Sequence, residues 1–294
     1  MAWRELALLW AARECGALDA LATRAGTPEA VAEAADIDPA GAEALVGALH
    51  AQGLLARVDG EYEPADRMLG FLAKTDLRSV GADPAAVDAF ERWVRLPETL
   101  AGAAPPNPPD ATRNDLGRAA AVDELRVRSE VTAAVRAAPD GETVALLGDD
   151  AGRRDVEFAA RGWTPTLVVP PERIEAVEPL LRSAPVELVA GGPDDLPASD
   201  LVIGVEALSG RDPAGAEAVV EAASAAAPVG VFPDAFRGET ADAELLDVEA
   251  VAADEGRMQE AGAVRSWLAS AFGEAAVESV PAGPLAAAVG RAID

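Results

Sequence analysis

Apolar residues in the first eighty positions recur at helical spacing. Leu6, Leu9, Trp10, Leu18 and Leu21 share one stripe and predict a helix over 3–22. Thr27 before Pro28 is an N-cap residue followed by proline at the first helical position, which predicts a short helix through Ala35. Asp38 and Pro39 repeat the device, and Leu45, Val46 and Leu49 hold one face until Gly53 closes the helix. Leu54 to Tyr62 then reads as a hairpin turning at Asp59-Gly60. Three helices and a small wing make a winged-helix module.

The pattern changes further along. Ala82 to Leu100 is helical, and Gly102 to Asn114 is a break carrying Pro105, Pro106, Pro108 and Pro109. Leu116 to Ala138 reads as a helix leading into a second block. From Val144 onward, strands at 144–147, 165–169, 186–189, 200–204 and 229–232 alternate with helices at 153–161, 172–182 and 213–226. That alternation predicts a parallel, doubly wound α/β sheet. A late helix (263–272) and strands at 277–280 and 285–289 complete the chain. The expected division is a winged-helix domain over 1–100, a linker over 101–115 and an α/β domain over 116–294.

The turn after the first strand of the second block carries the chemistry. Val144 to Leu147 ends in Gly148-Asp149-Asp150-Ala151-Gly152, and helical spacing resumes at Arg153. This is the strand–turn–helix entry of a dinucleotide- or nucleoside-binding domain, where glycines let the backbone approach a ligand. Asp149 and Asp150 would crowd such a loop and repel an anion.

Composition narrows the setting. The formal net charge is −27, with 51 acidic against 24 basic residues, and Lys74 is the only lysine. Acidic residues are spread along the whole chain, which suggests a surface adapted to high salt, similar to proteins of extreme halophiles. The single Cys15 excludes an internal disulfide framework and a cysteine-based zinc site. One histidine, His50, argues against a histidine metal cluster and fits packing at a helix end. Asp194 and Asp195 read as a solvated turn, and no metal site is expected. No apolar run approaches the ~20 residues of a membrane span, and the chain reads as soluble and cytoplasmic. The helix in the recognition position, Pro39 to Gln52, has no Lys or Arg to neutralise phosphates, so nucleic acid is not the expected partner.

Three stretches carry a resemblance. They are Leu18 to Leu21 with Gly26 to Ala35 and Ala48 to Leu55; Val186 to Gly191 with Asp195 to Val202; and Leu246 to Glu249 through Arg257 to Trp267 and Gly273. Together they resemble the winged-helix O-methyltransferase family that uses S-adenosylmethionine (SAM), of the caffeate and hydroxyneurosporene type. The resemblance covers nearly the whole chain. It implies a Rossmann-like SAM-methyltransferase domain preceded by an all-α, winged-helix dimerisation domain, and hence a homodimer.

The same resemblance assigns the site. The cofactor loop is Gly148, Asp149, Asp150 and Gly152, yet Leu146 stands where the family has an acid and Asp150 where it has its middle glycine. Val169 ends the second strand in place of the acid that holds the ribose, with Glu172 nearby as a substitute. Gly192 replaces the aspartate near the adenine. Ser209 and Gly210 replace the family's His-Asp pair, leaving Ser209 at the general-base position and no catalytic residue assigned. Arg257, Met258 and Trp267 are substrate-pocket candidates, and Trp163 is another large side chain that could line it. The expected function is therefore a non-catalytic, dimeric methyltransferase-like protein binding a small molecule or a protein partner through its altered cleft, with SAM doubtful as its cofactor. An active SAM-dependent O-methyltransferase with an unorthodox site and a winged-helix transcriptional regulator are the two alternatives.

Overall fold

The structure is a computed structural model that describes residues 2–23, 25–72, 77–108, 110–148, 151–280 and 285–293. The chain forms two compact units, residues 1–97 with 106–118 and residues 98–105 with 119–294.

The first unit opens with α1 (Trp3–Glu14) and α2 (Ala17–Thr23), where apolar spacing predicts one helix. The break is at Gly16, whose φ of +78° lies in the left-handed region that glycine enters without penalty. The stripe continues across the break because both helices face one core: Leu9, Leu18 and Leu21 are buried with Val31, Val46, Leu49, Leu54 and Met68. Next come α3 (Pro28–Ala35) and α4 (Pro39–Ala51). Thr27 Oγ1 accepts the Ala30 N–H, and Asp38 accepts the Gly41 N–H, as capping requires. The wing is β1 (Leu55–Val58) paired with β2 (Glu61–Pro64). Its turn places Asp59 and Gly60 at φ +51° and +94°, the pair of left-handed residues a two-residue hairpin needs.

Behind the wing lie α5 (Asp66–Leu72), which the pattern does not predict, α6 (Asp83–Leu100) and α7 (Ala111–Ala120). The sequence reads as one helix over 116–138. The structure instead starts α7 inside the proline-rich stretch and opens a separate α8 (Glu124–Ala137), which Asp123 caps through the N–H groups of Leu125 and Arg126. Within the first unit, Arg13 donates to Asp88 and Glu91, each at 2.5 Å, and Asn114 donates to the other oxygen of Asp88 at 2.8 Å. Asp88 and Asn114 are buried, so this polar tie fixes α1, α6 and α7 together.

The second unit is a seven-stranded sheet. Its strands are β3 (Thr143–Gly148), β4 (Thr164–Val169), β5 (Glu187–Ala190), β6 (Leu201–Val205), β7 (Val229–Asp234), β10 (Gly273–Ser279) and β11 (Ala286–Ala292). A small separate pair, β8 (Phe236–Arg237) and β9 (Gln259–Glu260), lies outside it. The strand order is β10-β11-β7-β6-β3-β4-β5. β3 to β7 run parallel, while β11 is antiparallel to both β7 and β10.

Alternate residues face opposite ways. Ala145, Leu147, Val168, Val202 and Phe232 join α11 (Pro213–Ala226) and α13 (Ala261–Phe272) in one cluster. Leu146, Leu167, Leu201 and Ile203 are buried on the other face, as expected of a sheet covered on both sides. The remaining helices are α9 (Arg153–Ala160), α10 (Ile174–Leu181) and α12 (Ala243–Ala252). None of the described helices is long and apolar enough to cross a membrane. From β3 the chain winds outward to β5, then returns to β6 on the other side of β3. The carboxyl ends of β3 and β6 therefore form the switch point where open α/β sheets take their ligands.

Candidate functional site

β3 ends at Gly148, whose φ is +118°. It lies opposite Val205 of β6, and a Cβ on it would sit 2.3 Å from the Val205 carbonyl oxygen. Gly152 (φ +81°) stands at the N-cap of α9, where a Cβ would meet Leu181 at 2.2 Å. Both glycines of the loop are thus required by the protein's own packing. Asp149 and Asp150, assigned to the same loop, lie outside the described residues.

β4 delivers Val169 to its end, buried and without an acceptor group. Glu172 follows in a 3-10 turn (Pro171–Arg173) and is exposed. After β5, Gly191 is closely covered by Asp195, since a Cβ would lie 2.5 Å from the Asp195 Cβ. The Asp195 carboxylate turns back to accept the Gly192 N–H at 2.9 Å, so the carboxylate beside Gly192 closes its own turn.

A dense polar cluster lies where β6 and β7 end. Asp234, the last residue of β7, is fully buried and accepts four hydrogen bonds. Its donors are the Leu208 N–H at 2.9 Å, the Ser209 N–H at 3.0 Å, the Ala235 N–H at 2.7 Å and the Ser209 hydroxyl. Burial pushes its carboxyl up to about 6 from the ordinary aspartate value, while those four donors pull the other way. Gln259 secures the loop from the far side, donating to the carbonyls of Leu208 and Arg211, and the Gly256 N–H donates to the Gly210 carbonyl. The loop after β6 is therefore held by one carboxylate and one amide.

Glu206 begins that loop with φ +50°. Its N–H donates to the Pro233 carbonyl at 2.9 Å, and its carboxylate accepts from Arg126 Nη2 at 3.2 Å. Arg126 Nε donates to Glu130 at 2.8 Å, and Arg154 donates to the other oxygen of Glu130 through Nε and Nη2, both at 2.7 Å. Glu130 and Arg154 are buried, so α8 and α9 carry a charged core that surfaces at Glu206. Truncating one member of such a buried pair costs about 3–5 kcal/mol, because it strands the other charge away from water.

The three pocket candidates are not gathered into one group. Arg257 is exposed, Met258 is buried with Ala235, Ala250 and Leu285, and Trp267 packs half-buried against the main core. Trp163 is buried edge-on against Phe158. His50 lies in the first unit, its Nδ1 2.9 Å from the Leu55 carbonyl and its ring edge-on to Tyr62, which is a packing role at the end of α4. Sequence reasoning missed Asp234, Gln259, Glu206 and the arginines around Glu130. Two signals were available: Arg126 and Glu130 stand one helical turn apart, and Asp234 is an acid closing an apolar strand.

No protein-family model matches the chain, and no curated protein does. Solved structures match it over nearly their whole length. PigF bound to S-adenosylhomocysteine (SAH) is 18% identical with a TM-score of 0.71, covering 98% of this chain and 96% of that one. Human N-acetylserotonin methyltransferase in complex with SAM is 18% identical with a TM-score of 0.67, covering 99% and 94%. RosA of Streptomyces davawensis, an N,N-8-amino-8-demethyl-D-riboflavin dimethyltransferase, is 20% identical with a TM-score of 0.69, covering 99% and 96%. The chain has the fold of these methyltransferases, with its Rossmann-like sheet preceded by a helical, winged module.

Proposed function

We propose that this protein is a non-catalytic methyltransferase-fold protein that binds a small molecule at the carboxyl ends of β3 and β6. The observation that carries the reading is the end of β4. Buried Val169 occupies the position where the resembled family holds the ribose hydroxyls, and valine accepts no hydrogen bond. A site built to pair a hydroxyl gains discrimination of about 10⁴–10⁵ from that pairing, and this chain forgoes it. Among the described residues, the polar groups nearest the site are exposed or already engaged. Glu172 is exposed in its turn, Asp195 is spent on Gly192, and Ser209 gives its hydroxyl to Asp234. The described residues do not fit SAM. A homodimer through the first unit belongs to this reading, supported by Trp3 standing exposed on α1 with Arg4 over its ring.

A second reading, an active O-methyltransferase with an unorthodox site, is favoured by one contact. Asp234, with its carboxyl raised to about 6, hydrogen-bonds Ser209 at the family's general-base position. Calorimetry with SAM and SAH in molar KCl separates the two. The expected result is no heat of binding at millimolar ligand. Micromolar binding would overturn the first reading and put the second in its place.

A further inference from the structure

Asp234 is fully buried at the end of β7, and three backbone N–H groups are aimed at its carboxylate. Leu208 at 2.9 Å and Ser209 at 3.0 Å both donate to Oδ2, and Ala235 donates to Oδ1 at 2.7 Å. A backbone N–H can only donate, so each of the three demands an acceptor. The ionised carboxylate meets that demand, with about four lone-pair positions and no hydrogen of its own. A neutral carboxyl meets it less well. It carries a hydrogen, accepts weakly on the oxygen that bears it, and lacks the added strength of a hydrogen bond to a charge.

Two of these donors belong to the loop after β6, residues 206–211. Its other described fixings are the Gln259 amide on the Leu208 and Arg211 carbonyls, Arg211 Nε on the Ala207 carbonyl, the Gly256 N–H on the Gly210 carbonyl and the Glu206 N–H on the Pro233 carbonyl. Neither an amide nor a guanidinium changes charge near neutral pH, so among these fixings Asp234 alone can do so. Burial moves that change up to about 6. Charged side chains surround the loop from several elements. Glu206 and Arg211 lie on it, Arg126 of α8 meets Glu206, Glu255 lies against Gly210, and Arg237 is held by Asp247 and Glu260 beyond Ala235. From β11, only Ala286 stands opposite Asp234.

We infer that Asp234 is a pH-sensitive latch on the loop 206–211: ionised, it clamps the N–H groups of Leu208 and Ser209 at the switch point of the sheet, and protonated, it lets them go. The step takes one proton from solvent onto the carboxylate, and no other covalent bond changes. Burying the charge is unfavourable to the fold as a whole, and the loop's donors offset that cost. Once the carboxyl is neutral, the cost and the need for those donors disappear together. A ligand seated at the end of β6 therefore meets an ordered loop above the transition and a loosened one below it. That consequence rests on the small-molecule reading above; the latch itself does not.

The test is amide hydrogen exchange of the full-length protein in molar KCl from pH 5 to 8, each rate normalised to that of an unstructured peptide at the same pH. Protection at Leu208 and Ser209 is expected to fall at least about tenfold between pH 7.5 and pH 5, the size of one charged hydrogen bond. Protection at Val202 and Ile203 within β6 is expected to change far less. In Asp234→Asn the pH dependence at Leu208 and Ser209 is expected to vanish, because the amide keeps one carbonyl acceptor that does not titrate. Constant protection at these two residues in the native protein would overturn the inference without any variant. A pH dependence that survives in Asp234→Asn would assign the change to Glu206 or Glu255 and overturn it too. So would an equal loss along β6, which would be unfolding of the whole sheet. All of these outcomes are read without ligand, so SAH binding, which decides the non-catalytic reading, leaves them unaffected.

Discussion

Asp234 shows how much one side chain organises here. Its folded-state carboxyl sits near 6, above the ordinary value of 3.8, and burial is the leading cause. The folded state therefore holds this proton more tightly than the unfolded chain does. The associated stability is fully present below about pH 4 and is lost as pH rises through about 6. In denaturant melts from pH 4 to 7, the advantage of the native protein over Asp234→Asn is expected to shrink with rising pH and level off above the window. An advantage that grew with pH would mean that the ionised form, with its four donors, is the one the fold prefers. At this scale the candidate site was only half legible. The absence of an acceptor at Val169 is visible in the sequence, because residue type alone decides it. The reason for Gly148 and Gly152 is not, since the Val205 carbonyl and the Leu181 side chain that demand them arrive from distant elements. Glu206 gave no signal either, because a positive φ on a glutamate is imposed by Pro233 and Asp234.

Elements were read well wherever local chemistry closes them. α3 and α4 begin at Pro28 and Pro39 behind their capping residues, and the wing turns at Asp59-Gly60. The five parallel strands lie where apolar runs placed them, four of them buried on both faces and the edge strand β5 only partly covered. The failures were at helix breaks. One apolar stripe spans α1 and α2 because both pack on the same core, and only the backbone at Gly16 separates them. Gly16→Ala, which forces a Cβ into φ +78°, is expected to destabilise the first unit by about 1 kcal/mol or more. Urea melts would measure this, and an unchanged or raised midpoint would mean that the break is not set by that glycine. α5, α12 and the β8–β9 pair were missed because short amphipathic segments take their conformation from the neighbours they cover.

For the whole molecule, charge dominates. A formal net charge of −27 on 294 residues sets up strong self-repulsion, which salt screens over about 10 Å at 0.1 M and about 3 Å at 1 M. The melting temperature is expected to rise steadily as KCl is raised from millimolar to molar. Sedimentation in molar KCl is expected to give twice the chain mass of 30.0 kDa. A melting temperature indifferent to salt would remove the high-salt reading, and a monomer at micromolar concentration would remove the dimer. The overall architecture was the most legible level of all, since alternating strands and helices behind a small helical module admit few arrangements. The antiparallel placement of β11 was not legible, because strand direction in a sheet is set by partners far away in the chain.

That placement has a consequence for how the protein is made. β11 is the last of the seven strands to be synthesised, yet its place is between β7 and β10. Until residues 286–292 are in place, the edge of β7 that pairs with them has no native neighbour, and β10 has nothing in register beside it. A chain in which β11 has not yet docked offers two open strand edges, the condition in which wrong pairing and aggregation compete with folding. Closure of the sheet therefore waits on residues far along the chain from β7, the strand they join to β10.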